Sequence, residues 1–250
     1  MSVVSSNTSS APIIITGGGQ RLGLAAALAL HTETTPVVIS YRNNTRNLDQ
    51  LQALGVHTLH ADLSTTEAVL DFVNTIKTQY SSLRAIIHNA SEWFSESRVN
   101  VADHDMIFDR MMHIHAKVPY LINNQLSSLL HNFAESYGNS KADIIHMTDY
   151  KVEKGSKNHI AYAASKAAAD NLTLSFSAKF APLIKVNSIA PAMLMFNDND
   201  EEEYKVIALK KSLMQIAPGE QESVKAIRYL LDSDYMTGRV LSIDGGRHLV

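Results

Sequence analysis

The chain contains no cysteine, which removes a disulfide framework, a thiolate-ligated zinc site and a cysteine nucleophile from the candidate chemistries. The plain reading is a compartment where disulfides are unnecessary, with the cytoplasm as the default location. A long apolar run is also missing. The most apolar helical segment, 22–30, would span about 14 Å at ~1.5 Å per residue, whereas a bilayer crossing takes roughly 20 apolar residues. No membrane association is expected. Residues 1–10 are small and polar and lack the charged and apolar regions of a secretory signal, so they read as a flexible tail. Excess charge of one sign is absent too: 22 Lys and Arg nearly balance 25 Asp and Glu, for a net charge of -3. With no basic run, nucleic acid is not an expected partner. Internal repeats and Pro- or Gly-rich linkers are likewise lacking.

What is present is an α/β pattern. With 250 residues, 45% of them hydrophobic, the chain can build one domain with a substantial core, expected over 11–250. Short runs rich in Ile, Val and Leu at 12–16, 37–41, 56–61, 83–88, 143–147, 184–189 and 239–243 read as strands buried on both faces. Between them, helical periodicity covers 21–32, 65–80, 103–130, 161–180 and 220–231. This alternation predicts a single-domain Rossmann fold, a seven-stranded, doubly wound parallel sheet flanked by helices. Pro119, inside 103–130, should kink or start a segment because it lacks a backbone donor. The stretch 191–218, Met-rich and then acidic, interrupts the pattern, and a flap over the site is expected around 192–218.

The first strand runs into Thr16-Gly17-Gly18-Gly19-Gln20-Arg21-Leu22-Gly23 and then into an Ala/Leu helix. Such glycines let the backbone approach a pyrophosphate, whose charge meets the free N–H groups of the helix start. The alternative is a glycine turn that serves only helix–strand packing. No Gly-Lys-Ser/Thr follows, so this is not a P-loop. If a dinucleotide binds, a carboxylate at the end of the second strand would hold a free ribose hydroxyl and an arginine a 2′-phosphate. Here the residues are Ser40-Tyr41-Arg42-Asn43-Asn44, so the cofactor should be NADPH, with Arg42 as its reader and Arg46 near enough to share the role. An ordinary solvated Arg42 is the competing account.

Tyr162 and Lys166 lie four apart on one expected helix and share a face. A nearby ammonium favours the phenolate, so Lys166 should lower the tyrosine pKa from about 10 and make Tyr162 a usable proton donor.

Thr16-Gly17 with Gly23, Asn89-Ala90, Tyr162 with Lys166, Asn187-Ser188-Ile189-Ala190-Pro191 and Asp244-Gly245-Gly246 together resemble the short-chain dehydrogenase/reductase family over residues 12–246. Within it the details are similar to the pteridine reductases, most closely the bacterial dihydromonapterin reductases. In these the middle glycine of the fingerprint is an arginine, as Arg21 is here. The usual catalytic serine is an aspartate, as Asp149 is.

That resemblance implies NADPH-dependent hydride transfer to a C=N carbon of a dihydropterin, dihydromonapterin first and dihydrofolate weakly. The adjacent nitrogen would be protonated by Tyr162, or by water relayed through Asp149. It implies Asp149, Tyr162 and Lys166 as catalytic residues. Gly17, Arg21, Leu22, Gly23, Arg42, Asp62, Leu63, Asn89, Ala90, Ser91, Lys166 and Pro191 would border the cofactor. Arg21, Ser91, Trp93, Asp149 and Tyr162 would border the pterin, with Trp93 stacked on its ring. Trp93 in the core and Asp149 as a turn cap are the alternatives. One departure is His115, where the family usually carries an Asn that supports a water near the lysine; either the imidazole runs the relay or it is a packed, hydrogen-bonded histidine. No metal is expected. A homo-oligomer, by family analogy a tetramer, is implied as well. The competing functions are an SDR carbonyl reductase for a 3-oxoacyl thioester or sugar, and a non-catalytic dinucleotide sensor.

Overall fold

Isoleucine and valine alternate their side chains across a strand, and in this chain both sides find a helical layer. The computed structural model describes residues 11–96, 99–136, 138 and 140–250; the expected tail at 1–10 lies outside them. Strands β1 (Ile13–Ile15), β2 (Val37–Tyr41), β3 (His57–His60), β4 (Ala85–His88), β5 (Ala142–Met147), β6 (Ile184–Pro191) and β7 (Val240–Ile243) form one sheet in the order β3-β2-β1-β4-β5-β6-β7. Every pairing is parallel, with Ile14 opposite Val38 on one side and Ile86 on the other. The predicted doubly wound sheet is therefore the observed one.

The helices are α1 (Arg21–Leu30), α2 (Asn47–Ala53), α3 (Thr66–Gln79), α4 (His104–Met112), α5 (Val118–Ser136), α6 (Lys151–Lys154), α7 (Ile160–Phe180), α8 (Glu202–Leu209) and α9 (Gln221–Asp232). Ile14, Ile86 and Ile144 pack against α3, α5 and α7, through residues such as Phe72, Leu126 and Phe176. Their neighbours Ile13, Ile15, Ile87 and Ile145 pack on the opposite face against α1 and α9, through Ala26, Ala27 and Ile227. Each fully buried Ile contributes roughly 1.5–3 kcal/mol of transfer free energy. The chain moves to β2 on one side of β1 and later to β4 on the other. The carboxyl ends of β1 and β4 thus face an open crevice, the usual ligand position in such sheets.

The single helix expected over 103–130 is not what forms. A 3-10 turn (Val101–Asp103) leads into α4, and a π-helical turn (His113–Lys117) separates α4 from α5. Pro119 supplies no N–H to close a normal turn, and the wider turn is closed by Val118 N–H donating to the His113 carbonyl. Its consequence is positional: the bulge carries His115 into the interior, where it is 3% exposed.

A polar chain also crosses the core beneath the crevice. His88 Nε2 lies 2.7 Å from Asn123 Oδ1, Asn123 Nδ2 lies 3.1 Å from His146 Nε2, and His146 Nδ1 lies 2.7 Å from Thr173 Oγ1. Burial pushes the His88 imidazole down to about 4 and His146 well below its ordinary value. Both are neutral in the folded protein, so the unfolded chain binds more protons once pH falls below about 6.5. The stability they leave intact above that pH is lost on acidification, at up to ~1.4 kcal/mol per histidine and pH unit. Denaturant midpoints should therefore drop between about pH 7.5 and about pH 5, and His146→Asn should flatten the drop; a midpoint independent of pH would contradict two neutral buried imidazoles.

Candidate active site

The crevice is a continuous cleft of about 1370 Å³. A single drug-sized ligand usually occupies roughly 300–1,000 Å³, so there is room for two ligands side by side. Its floor is the glycine loop. Thr16 Oγ1 accepts from the N–H groups of Asn89 (3.1 Å) and Ala90 (3.0 Å), while Asn89 Nδ2 donates to the Thr16 and Gly17 carbonyls. These bonds join the ends of β1 and β4. A Cβ on Gly23 would lie 2.3 Å from the Gly17 carbonyl oxygen, so only glycine permits this closeness.

Helix α1 begins without a side-chain cap or an acidic residue, and its first internal bond runs from Leu24 N–H to the Gln20 carbonyl. The N–H groups of Arg21, Leu22 and Gly23 thus have no intrahelical partner and suit an anion. Arg21 keeps the backbone of the glycine it stands for, at φ 50°. That conformation costs a non-glycine residue about 1–2 kcal/mol. Its guanidinium crosses the cleft and donates to Asn197 Oδ1 at 2.6 Å, in the segment expected as a flap.

At the end of β2, Arg42 lines the cleft with Tyr41 and Asn43; Asp62 and Leu63 border it beyond β3. Arg46 caps the start of α2 and is absent from the cleft wall. Arg42 is ion-paired with Glu92, which also accepts from Arg110 Nε and, at 2.7 Å, from Arg110 Nη2. Burial raises the Glu92 carboxyl, but the hydrogen bonds from Arg110 and Arg42 outweigh it and hold it below the usual range. Free N–H groups, glycine backbone, guanidinium and no carboxylate at the end of β2 fit a phosphorylated dinucleotide.

At the other end, Tyr162 and Lys166 project from one face of α7, and Asp149 follows β5. Tyr162 O–H donates to Asp149 Oδ2 at 2.9 Å. The second carboxylate oxygen accepts from Lys151 N–H at 2.8 Å, so Asp149 is a turn cap and a partner of Tyr162 at once. Lys166 is buried and donates to the Met147 carbonyl at 2.8 Å. Burial brings its ammonium down to about 8, against the raising effect of Asp149 and Asp170. The expected fall in the tyrosine pKa is reversed. Burial and then the adjacent Asp149 charge push the Tyr162 phenol well above its ordinary value. Burial also raises the Asp149 carboxyl.

His115 is packed and hydrogen-bonded in the interior, 3% exposed. Its Nε2 accepts from Ser91 O–H (2.8 Å) and Glu92 N–H (3.4 Å), which assigns the proton to Nδ1, facing Ser165 Oγ at 2.8 Å. Ser165 in turn donates to the Tyr162 carbonyl. Burial, then the Lys166 charge, hold this imidazole down to about 2. Trp93 is not core: it is 58% exposed, lines the cleft and stacks on His159 at a centroid distance of 4.2 Å. Gly17, Ala90 and Ser91 line the wall between the two ends. Pro191 ends β6, its carbonyl accepting from Tyr150 N–H, and Ala192 to Met195 rather than Pro191 line the cleft. Among the described residues no group of three or more His, Asp or Glu is placed to hold a metal, and no helix is long and apolar enough to cross a membrane.

Glu92, Arg110, His159 and Asn197 went unread in the sequence. Only Glu92 carried a signal, as a charged residue directly after Asn89-Ala90-Ser91.

A family model described as enoyl-(acyl carrier protein) reductase matches residues 19–248. The dihydromonapterin reductase of Citrobacter koseri is 49% identical over 95% of this chain and 97% of its own. That of Escherichia coli O139:H28 is 48% identical over 97% and 99%. Among solved structures, FolM alternative dihydrofolate reductase 1 from Brucella canis, complexed with NADP, superposes with a TM-score of 0.79 at 25% identity, covering 96% of this chain and 94% of that one. The Brucella suis protein, also with NADP, gives a TM-score of 0.80 at 25% identity over 96% of each. By the extent of these matches, the chain belongs to the short-chain dehydrogenase/reductase family.

Proposed function

We propose that the chain reduces a 7,8-dihydropterin with NADPH, dihydromonapterin foremost and dihydrofolate weakly. The observation that carries this reading is the Tyr162–Asp149 hydrogen bond at 2.9 Å, which opens on a cleft walled by the exposed Trp93. A carboxylate is placed where carbonyl reduction needs none, beside a flat aromatic face suited to a heteroaromatic ring. The names of the relatives, dihydromonapterin reductase and alternative dihydrofolate reductase, support the same substrate class.

NADPH supplies a hydride to the C=N carbon, and the chain supplies position and a proton. The N–H groups of Arg21, Leu22 and Gly23 would hold the pyrophosphate, Arg42 the 2′-phosphate, and Asp62 and Leu63 would border the adenine. Gly17, Asn89, Ala90 and Ser91 would run along the cofactor and the turn after Pro191 would close that side; Lys166, buried against the Met147 carbonyl and outside the cleft wall, would have to turn from that bond to reach the nicotinamide ribose. Arg21 and Trp93 orient the pterin. A phenol beside an ionised carboxylate is a poor acid, as the raised Tyr162 pKa attests. Asp149, the carboxylate that accepts from that hydroxyl, relays the replacement proton from solvent. The Tyr162 hydroxyl proton moves to the ring nitrogen as a solvent proton, passed through Asp149, moves to the Tyr162 oxygen. This leaves the tyrosine neutral and the carboxylate as it was. Hydride and proton together turn C=N into CH–NH.

The reading includes residues 192–218 as the substrate flap, supported by the Arg21–Asn197 bond. It includes a single domain over 11–250, a cytoplasmic location for this cysteine-free chain, and a homo-oligomer, by family analogy a tetramer. Exposed Met106, Phe108 and Tyr120 on α4 and α5 support the last of these.

NADPH oxidation should be rapid with dihydromonapterin, slow with dihydrofolate and negligible with ketones; inactivity toward every pterin would sink the reading. Tyr162→Phe should lower kcat by roughly 10²–10⁴-fold, the usual range for a lost proton donor. Trp93→Ala should raise the pterin KM about tenfold and leave the NADPH KM unchanged, since one stacked ring contributes ~1–3 kcal/mol. In a pH series kcat/KM should fall as pH rises through about 8, where Lys166 loses its charge. Lys166→Arg should move that limb upward, and an unmoved limb would assign it elsewhere.

A further inference from the structure

We propose that Arg110 is a second guanidinium for the 2′-phosphate of NADPH, and that Glu92 is the carboxylate both arginines release to take it. The inference rests on the reading that the chain uses NADPH. Arg42 ends β2 and Arg110 belongs to α4, yet their side chains meet on the one carboxylate of Glu92. Both arginine side chains are nearly half exposed, 45% and 43%, whereas Glu92 is only 11% exposed. The carboxylate is thus at the bottom of the cluster and the guanidiniums face the cleft, which all three residues line.

The chemistry favours exchange. Two guanidiniums converge on the one carboxylate of Glu92 beside the end of β2, where the arginine-for-carboxylate choice is made, and the Asp62 carboxylate acts on Arg110 more weakly than Glu92 does. A phosphate dianion offers three oxygens to two planar forks, whereas a carboxylate offers two oxygens and a single charge. Arg110 is held in place by other contacts: its guanidinium lies 4.9 Å from the centroid of the Phe94 ring. Glu92 is anchored through its backbone, whose N–H donates to His115 Nε2. Glu92 therefore keeps both arginines oriented in the free protein and weakens cofactor binding by competing for them.

The test is equilibrium titration of wild type, Arg110→Gln and Glu92→Gln with adenosine 2′-monophosphate, adenosine 5′-monophosphate, NADPH and NADH. Arg110→Gln should weaken the 2′-phosphate ligands about tenfold and leave adenosine 5′-monophosphate and NADH unchanged, which also shows that the variant is folded. Glu92→Gln should tighten the 2′-phosphate ligands severalfold, a gain that no folding defect produces. An Arg110→Gln protein with the wild-type NADPH-to-NADH affinity ratio would overturn the proposal, as would weaker adenosine 2′-monophosphate binding by Glu92→Gln. Wild-type protein that holds NADH as tightly as NADPH would overturn the cofactor reading itself, and the proposal with it.

Discussion

The hydroxyl of a buried tyrosine donating to a partly buried carboxylate is the interaction around which the cleft is organised. Neither group tolerates such surroundings unpaired, because an unsatisfied buried polar group costs about 1–3 kcal/mol and a buried charge more. The neighbouring elements meet that demand. The turn after β5 gives Asp149 a backbone donor from Lys151, and α7 presents Tyr162 and Lys166 on one face. The π-helical turn sends His115 inward to brace Ser91 and Ser165. Lys166, tied to the Met147 carbonyl, sets a positive charge behind the pair. Burial raises both pKa values most; the Asp149 charge adds to the rise at Tyr162, whereas the Lys151 N–H and then the Tyr162 hydroxyl oppose it at Asp149.

The two ends of the cleft are coupled by short connections. Thr16 and Asn89 lock the glycine loop to β4, Ser91 and Glu92 continue from β4 to His115, and Arg21 spans from the cofactor floor to Asn197. An arginine at a left-handed backbone position is a strained choice, and its side chain crosses the cleft to Asn197.

Much of this was legible in the sequence. The central strands are rich in Ile and Val because both of their faces are covered, and short apolar runs located all seven to within about two residues, although the edge strands β3 and β7 are only partly buried. Helices α2 and α6 were missed, since α2 buries only Leu48 and Leu51 and α6 is a single turn; α8 starts inside the acidic stretch 197–203, which reads equally as a solvated loop or a helix start. The π-helical turn hid behind an ordinary helical period, although Pro119 marked the place. Asp149 was expected to face the same site as Tyr162, but the direction of the Tyr162 pKa was not legible, because periodicity brings Lys166 near and does not show the burial, or the 2.9 Å contact with the Asp149 charge, that reverse it. Nor could spacing connect Arg42, Glu92 and Arg110, which come from β2, the β4 loop and α4.

The most direct measurement is substrate preference in Asp149→Ser, which restores the serine usual in the family. The ratio of kcat/KM for dihydromonapterin to that for a 3-oxoacyl thioester should strongly favour the pterin in the wild-type chain. In the variant that preference should collapse, through loss of pterin turnover with NADPH binding retained. A variant that keeps the wild-type preference would contradict the role of the Asp149–Tyr162 pair as the proton source.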